Sequence, residues 1–284
     1  MKNQCAGALP VVLLAAGSML FSCGGGQKTE VLTFDTLKVS KTEHLFADTA
    51  RPACDVQVSF AYITHANNAA TADSLNSVFL LTALGDEYAD MQPAEAVDAY
   101  VKKYLSDYHR DMEPIYKEDQ ATQEKEDETS TFANWYDFYR TVNTRPQYDN
   151  GHVLVYRVDY SEFTGGAHGN YMSTFLNMDL QQLTPIRLSD LFEGDYHAAL
   201  TELLWSQLLA DNNLKTRQEA ENMGYATTGN LEPTENFYLS DNGITFFYNT
   251  YEITPYVMGT VSITLSYEAL QPLLHSGIMA TYGL

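Results

Sequence analysis

A glycine-rich stretch between two strand-like segments is the feature that most restricts how this chain can fold. His152 to Ser161 and Tyr171 to Leu180 both read as β-strands, and the short segment between them contains Gly165, Gly166 and Gly169. Glycine adopts positive φ angles, or allows close backbone approach, at little steric cost. The spacing therefore predicts two neighbouring antiparallel strands joined by a compact loop.

Upstream of this stretch, the sequence predicts strands first and then helices. Alternating apolar and polar residues predict strands at Val31 to Ser40 and at Asp55 to His65. Helical spacing of apolar residues predicts two helices, one capped by Asp73 and one that has Pro93 in its first turn. Lys117 to Ser130 contains almost no large apolar residue, so we expect an exposed connection between helix and sheet.

Downstream of residue 180, the sequence predicts a helix and then a strand-rich region. Asp195 is expected to cap the helix, and Asp241-Asn242-Gly243 is typical of a hairpin turn. The strands predicted here are Asn236 to Ser240, Gly243 to Asn249 and Gly259 to Ser266.

These groups of elements define the expected fold class. Strands and helices are segregated rather than strictly alternating, which favours an α+β fold over a doubly wound α/β fold. We expect antiparallel sheets with helices packed against them, in an N-terminal half at residues 31–180 and a C-terminal half at residues 181–284. A meander that joins both halves into one sheet is the alternative.

The N-terminus has the pattern of an export signal. Lys2 is followed by an apolar stretch from Leu9 to Phe21, which is shorter than the roughly 20 residues of a membrane-spanning helix. The stretch ends in the letters LFSC at Cys23, which resemble a bacterial lipobox, although Phe21 stands where a small residue is usual. An ordinary signal peptide or N-terminal anchor is the alternative.

This pattern predicts where the mature protein resides. We expect residues 1–22 to be removed, Cys23 to carry lipid, and residues 23–30 to form a flexible tether. The protein would then be anchored in the cell envelope at the outer membrane, on its periplasmic face or on the cell surface.

The chain is strongly acidic, and its charge restricts the partners that it can bind. There are 37 Asp and Glu residues against 16 Lys and Arg residues, which gives a formal net charge of −21. We expect no nucleic-acid partner, because phosphate backbones require Lys and Arg. The same charge favours a cationic partner through electrostatic steering, with solubility alone as the alternative explanation.

No enzyme signature is present in the sequence. It contains no HExxH pair, GxSxG motif, P-loop, dinucleotide fingerprint or zinc-type Cys/His spacing. His168, in the glycine-rich loop, is the best isolated catalytic candidate, although binding or structural use is favoured. Cys54 is expected to be a small buried residue. We therefore expect a non-enzymatic protein without cofactor or metal, with a cell-wall glycan hydrolase as the alternative.

A second notable segment, Phe246 to Gly259, is rich in tyrosine. Tyr251 and Tyr256 combine a large contact area with a hydroxyl group, which suits a recognition surface. Pro255 stiffens the segment and lowers the cost of ordering it on binding. The alternative is that these aromatic residues pack in the core and that Pro255 interrupts a strand.

Three segments together resemble one family of envelope proteins. They are YSEFTGGAHGN at Tyr160 to Asn170, LNMDLQQLTPIRLSDLF at Leu176 to Phe192, and the long segment Phe237 to Leu270. These segments are similar to the extracytoplasmic region shared by RsiV-type anti-sigma factors and PdaC-type peptidoglycan deacetylases. The resemblance is strong after Tyr160 and weaker from Val56 to Tyr160.

The resemblance implies a binding domain, since RsiV-type proteins are lysozyme receptors. The implied ligand is lysozyme or another cationic muramidase, or else a peptidoglycan glycan. A peptidoglycan-active hydrolase or deacetylase-associated enzyme is one alternative, and a structural envelope lipoprotein is another. We expect neither sigma-factor control nor deacetylation, because the sequence shows no sigma-binding segment and no deacetylase motifs. The candidate contact residues are Thr164, His168, Asn170, Tyr251, Glu252, Pro255 and Tyr256.

Overall fold

A computed structural model of the chain describes residues 30–47, 52–123 and 135–284. The predicted signal segment, the lipidation site at Cys23 and nearly all of the tether lie outside these described residues. Within the described ranges, no helix is both long and apolar enough to cross a membrane.

Six strands form one sheet in which spatial order follows chain order. They are β1 (Thr33–His44), β2 (Ala53–His65), β3 (Phe138–Asp149), β4 (Val153–Phe163), β5 (Asn170–Asp179) and β6 (Thr184–Pro185). Neighbouring strands are antiparallel except β2 and β3, which are parallel. The sheet is therefore mixed at one pair, because the helices between β2 and β3 return the chain to the same end of the sheet.

Two helices cover one face of this sheet. α1 (Ala69–Leu84) begins after Asn68, whose side chain accepts a hydrogen bond from Ala70 N at 3.0 Å. The predicted cap, Asp73, lies inside the helix instead, because Asn68 satisfies the free N–H groups one turn earlier.

α2 (Pro93–Gln123) begins with Pro93, as the sequence predicted. It runs seven residues into the predicted exposed connection, so the segment from Lys117 to Gln123 is helical rather than a loop. These residues are mostly good helix formers, and Lys117 pairs with Glu113 one turn earlier. The rest of that connection, residues 124–130, lies outside the described residues.

The core between these helices and the sheet contains an aromatic stack. The rings of Phe79 on α1 and Tyr156 on β4 have centroids 3.9 Å apart and planes inclined by 2°. Tyr156 is fully buried, and its hydroxyl hydrogen-bonds with Thr144 Oγ1 at 2.6 Å and with the Ala61 carbonyl oxygen. This hydroxyl therefore joins β2, β3 and β4 beneath the helices.

The C-terminal part of the chain forms a separate layer. Its elements are α3 (Leu188–Leu191), α4 (His197–Asp211), α5 (Arg217–Met223), β7 (Phe237–Ser240), β8 (Gly243–Tyr248), β9 (Val261–Leu265), α6 (Tyr267–Leu270) and α7 (Ile278–Tyr282). The antiparallel sheet β7-β8-β9 confirms the predicted hairpin strands. Helix α4 begins at His197 after Tyr196, so Asp195 is not its cap, and α7 was not predicted.

The two halves share strand β4. Its residues Leu154, Tyr156 and Val158 point into the core beneath α1 and α2, whereas Val153 and Val155 point into the core of the C-terminal layer. All five are completely buried, so this strand is apolar on both faces. The α+β class with two halves is confirmed, and the two halves meet across the sheet.

Candidate functional site

The two loops that the sequence singled out lie side by side. Residues 164–169 connect β4 to β5, and residues 249–260 connect β8 to β9. The imidazole of His168 stacks on the ring of Tyr256, with centroids 3.8 Å apart and planes inclined by 18°. His168 Nε2 lies 3.2 Å from Tyr251 Oη, and the two tyrosine ring centroids are 5.7 Å apart. We call His168, Tyr251 and Tyr256 the aromatic cluster.

The cluster presents large side chains to solvent. Tyr251 is 52% exposed, and Val257, in the adjacent 3-10 turn Tyr256–Met258, is 91% exposed. Tyr251 also adopts φ +73°, which is uncommon for a residue other than glycine. Such a conformation persists only where the surrounding contacts enforce it, and these outliers concentrate at functional sites.

A buried asparagine holds the tyrosine-bearing loop against β5. Asn249 Oδ1 accepts a hydrogen bond from Ser173 N at 2.7 Å, and Asn249 Nδ2 donates to the Ser173 carbonyl oxygen at 3.1 Å. Its side chain therefore pairs with both backbone groups of a single strand residue. Since backbone groups at this depth require partners, this pairing fixes where the loop leaves the sheet.

Two further asparagines attach the C-terminal layer to the sheet in a similar way. Asn236 Oδ1 accepts from Phe175 N at 3.0 Å, and its Nδ2 donates to Ser173 O at 3.0 Å. In the opposite direction, Asn177 on β5 bonds with the Phe237 carbonyl oxygen at 2.7 Å and with Leu239 N at 2.9 Å on β7. We call Asn177, Asn236 and Asn249 the asparagine bridges.

Glycine is favoured by close contacts where the histidine-bearing loop meets the sheet. A Cβ atom on Gly169 would lie 2.3 Å from Tyr139 Oη and 3.0 Å from the Glu162 carbonyl oxygen. The Gly169 carbonyl oxygen also lies 3.1 Å from His168 Nδ1 and accepts a hydrogen bond from Tyr256 Oη at 3.3 Å. Glycine lets the loop backbone pass close to Tyr139 and Glu162, and this position brings His168 into contact with Tyr251 and Tyr256.

Two of the other predicted contact residues shape the loop instead of extending the cluster. The Glu252 carboxylate accepts a hydrogen bond from Asn249 N at 2.8 Å and so closes the turn that carries Tyr251. Pro255 immediately precedes the 3-10 turn that contains Tyr256. Both residues determine how the tyrosines are presented.

The remaining two predicted residues lie apart from the aromatic cluster. Asn170 is the first residue of β5 and is exposed. Thr164 lines a different pocket of about 190 Å³, at the junction of α2 and β3, together with Tyr108 and Phe138. The structure therefore does not bring Thr164 together with the tyrosines. The contact roles of all these residues stay predictions.

Beside the cluster, the structure has a groove that sequence reasoning missed, along which polar strand side chains lie next to apolar surface. Its volume is about 300 Å³, and Thr260 from the tyrosine-bearing loop lies along it. Six of the strand residues that line it share one sheet face, namely Thr141, Asn143, Asp159, Ser161, Tyr171 and Ser173; Tyr160 and Met172, at the alternate positions, line it as well. Each of the six is an ordinary residue of an alternating strand, so only the strand register brings them together. The one available signal in the sequence was that each of these residues occupies the position in its strand that points to the same face of the sheet.

An ion-pair network fixes one side of this groove. The Asp159 carboxylate accepts hydrogen bonds from Ser173 Oγ at 2.6 Å, Arg157 Nε at 2.7 Å and Arg145 Nη1 at 2.6 Å. Burial by itself raises the pKa of Asp159, but these hydrogen bonds and the arginine charges more than offset burial and hold the pKa below its ordinary value. Asp159 is therefore charged at neutral pH.

This network should make the folded state sensitive to acid. Because the pKa of Asp159 is lower in the folded state than the unfolded value of about 3.9, its ionised form stabilises the folded protein at pH values above about 3.9. This stabilisation is lost as the pH falls through the pKa of the folded state. We expect Asp159→Asn to lower the urea midpoint at pH 6 and to differ much less from wild type near pH 3. Asp73→Asn, at an exposed carboxylate outside the network, is the control. An Asp159→Asn deficit of equal size at both pH values would contradict this assignment.

The described residues contain no group of three or more His, Cys, Asp or Glu side chains that is placed to hold a metal ion. Cys54 is fully buried, as expected, and burial raises the pKa of its thiol to about 12. Because the thiolate is the reactive form, Cys54 is not a nucleophile at neutral pH.

The arrangement as a whole defines an α+β protein in which a helical layer and a C-terminal layer cover opposite faces of one sheet. The sequence model described as "Deacetylase PdaC" matches residues 48–171, and the model described as "Protein of unknown function (DUF3298)" matches residues 189–268. No curated protein matches the chain.

Solved structures identify the family. The chain is similar to the crystal structure of a member of the DUF3298 family from Bacteroides fragilis NCTC 9343, with 45% sequence identity and a TM-score of 0.83. The match covers 89% of this chain and 98% of that one. The chain therefore belongs to the DUF3298 family, which confirms the resemblance to RsiV-type and PdaC-type extracytoplasmic domains.

A more distant structure shows that the fold recurs at low sequence similarity. A DUF3298 family protein from Pseudomonas aeruginosa PAO1 is 15% identical, and the match covers 87% of this chain and 96% of that chain. Its TM-score of 0.59 reflects a shared fold alone.

Proposed function

We propose that this protein is a non-enzymatic binding protein of the bacterial cell envelope, and that its aromatic cluster binds a cationic muramidase of the lysozyme type. Lipid on Cys23 would anchor it at the outer membrane. The observation that carries the proposal is the convergence of His168 with Tyr251 and Tyr256. These side chains come from loops more than 80 positions apart, yet they form one solvent-facing surface.

The chemistry of the cluster suits protein recognition. Tyrosine buries a large area while it keeps a hydroxyl for hydrogen bonding, and it is enriched among residues that dominate binding energies. The protruding Val257 side chain adds an apolar group that a partner pocket can cover. Asn249 and Gly169 hold both loops in place, which lowers the entropy that binding would cost.

Charge supports a basic partner. With a formal charge of −21, the chain attracts a cationic protein over long range, and salt screens that attraction. The screening length falls from about 30 Å at 0.01 M salt to about 10 Å at 0.1 M salt. We therefore expect the association rate to fall strongly between these conditions, while the aromatic contacts contribute mainly to the lifetime of the complex.

The direct test is calorimetric titration of the full chain, in detergent, with lysozyme at both salt concentrations. We expect saturable binding, and Tyr251→Ala and Tyr256→Ala should each weaken the affinity at least about tenfold, which corresponds to about 1.4 kcal/mol. Leu81→Ala is the matched control, because Leu81 is an exposed apolar residue on α1, across the sheet from the cluster.

Two outcomes would contradict the proposal. Absence of heat at both salt concentrations would exclude lysozyme as the partner. Binding that neither tyrosine variant weakens would show that the partner uses another surface. If the affinity did not change with salt, electrostatic steering would be excluded, but the proposed contact with the aromatic cluster would still stand.

A further inference from the structure

The groove beside the aromatic cluster is the end of a longer feature that crosses the sheet. Strand pairing places side chains from five successive strands in register on the sheet face that points away from α1 and α2. One row consists of Ser40, Gln57, Thr141, Ser161 and Tyr171. The adjacent row consists of Lys38, Ser59, Asn143, Asp159 and Ser173. We call these two rows the polar track.

The track is open to solvent for most of its length. The side chains of Val56, Val58 and Val142 point to the opposite face, into the core beneath the helices. On the track itself, Gln57 and Asn143 are exposed, and Tyr171 is 50% exposed. The C-terminal layer covers only the far end, where Ser173 is buried and Thr260 lies along the groove.

Much of the hydrogen-bonding capacity along the track is unused. Within the part of the chain that the structure describes, no hydrogen bond engages the side chains of Gln57, Ser59 or Asn143. Two of these are amides, and each amide both donates and accepts hydrogen bonds. At the covered end, by contrast, Asp159 is fixed by its arginine and serine partners. The polar track thus offers uncharged side chains that are free to bond with a ligand, next to the Asp159 carboxylate, which is already held by its partners.

The charge of the track differs from that of the whole chain. The two rows contain one cation, Lys38, and one carboxylate, Asp159, which is paired with Arg145 and Arg157 of the neighbouring row, so the track has no net negative charge. A polybasic ligand would be attracted by the acidic protein as a whole, but the polar track itself would not attract it. The local chemistry instead matches a neutral or weakly acidic molecule that is rich in hydroxyl and amide groups.

The dimensions of the track favour an extended ligand. Four inter-strand spacings of about 4.8 Å give a length of roughly 19 Å, with a tyrosine at one end. Tyr171 is held by its hydroxyl, which lies 3.2 Å from Tyr139 Oη, so its ring is restrained while half of it stays exposed. An aromatic ring beside many hydrogen-bonding groups is suited to the apolar face and the hydroxyl groups of a sugar.

We propose that the polar track binds an unbranched, neutral or weakly acidic oligosaccharide. Tyr171 packs against one sugar ring, and the amides of Gln57 and Asn143 bond with hydroxyl or acetamido groups of the following sugars. This site is separate from the aromatic cluster and does not rest on the binding of lysozyme.

The test is titration of the full chain, in detergent, with the N-acetylglucosamine tetramer tetra-N-acetylchitotetraose. We expect saturable binding that Tyr171→Ala weakens at least about tenfold, and that the double variant Gln57→Ala/Asn143→Ala weakens to a similar extent. Because Gln57 and Asn143 are exposed and their side chains form no hydrogen bond within the described residues, the double variant should fold normally, with an unchanged urea midpoint. Asn242→Ala, in the distant β7-β8 turn, is the control.

The outcomes separate this proposal from the one above. Tyr251→Ala should leave the affinity for the tetrasaccharide unchanged, even though it weakens lysozyme binding. No saturation at millimolar tetrasaccharide, or saturation that neither track variant weakens, would overturn the proposal. Track variants that weaken lysozyme binding without any sugar binding would overturn it as well, and would assign the track to a protein interface.

Discussion

Replacing Tyr156 with alanine should lower the free energy of unfolding by about 3–5 kcal/mol, as for other large buried aromatic residues. The substitution removes the ring that stacks on Phe79 and also the hydroxyl that bonds with Thr144 and the Ala61 carbonyl oxygen. We expect the urea midpoint of the full chain to fall by on the order of 1–2 M, measured by circular dichroism.

Tyr156→Phe separates the two contributions, because it keeps the ring and removes only the hydroxyl. It should cost about 1–2 kcal/mol, mainly because the Ala61 carbonyl oxygen loses a buried partner. If Tyr156→Ala shifted the midpoint no further than Tyr156→Phe, the aromatic stack would contribute nothing and the described packing of this core would be contradicted.

Replacing Asn249 with alanine should lower the free energy of unfolding by about 1–3 kcal/mol, because the buried Ser173 N–H loses its partner, whereas the Ser173 carbonyl oxygen keeps its hydrogen bond from Asn236. The effect should concentrate in residues 249–259, since the side chain fixes this loop to β5. Hydrogen exchange followed by mass spectrometry should therefore show faster exchange across the loop, and lysozyme affinity should fall together with loop order.

Asn177→Ala provides the matched control for Asn249. It removes a comparable pair of hydrogen bonds, to Phe237 and Leu239, from a position away from the tyrosine-bearing loop. We expect a loss of stability at least as large as that of Asn249→Ala, with little change in exchange at residues 249–259. Equal loop exchange in both variants would mean that Asn249 contributes general stability and does not position the aromatic cluster.

Local sequence patterns were sufficient for many elements of the fold. The glycine-rich stretch predicted adjacent antiparallel strands, and β4 pairs with β5 in that way. The Asp241-Asn242-Gly243 turn predicted the β7-β8 hairpin, where a Cβ on Gly243 would lie 2.1 Å from the Leu265 carbonyl oxygen. These features depend on residues close together in the chain, where turn chemistry and side-chain alternation act directly.

Features that depend on distant partners were not predictable in the same way. The parallel pairing of β2 with β3 joins Cys54 to Phe138 across two helices, and no local pattern encodes that register. Helix boundaries were missed by a few residues, because Asn68 and Asp73 are both acceptable caps and tertiary packing decides between them. The sequence nominated His168 and the two tyrosines one by one, but their mutual contact needed the fold.

The polar track shows a different limit of sequence reasoning. Residues such as Gln57, Thr141 and Asn143 have the composition of any solvated strand face, so nothing about them individually indicated a site. Their alignment emerges only when five strands are placed in register. A search for polar residues that share one alternation phase across consecutive strands would have found them, provided that the strand order was known.

The asparagine bridges have a consequence for association between molecules. β5 pairs with β6 only at Met178 and Asp179, so its outward backbone groups at Ser173 and Phe175 would otherwise offer a template for a foreign strand. Asn236 and Asn249 occupy these groups and thereby close that edge without adding a strand. At Ser173 and Phe175 this side of β5 is therefore protected from strand addition by another chain, while β1, at the opposite edge of the sheet, pairs with β2 alone among the described strands.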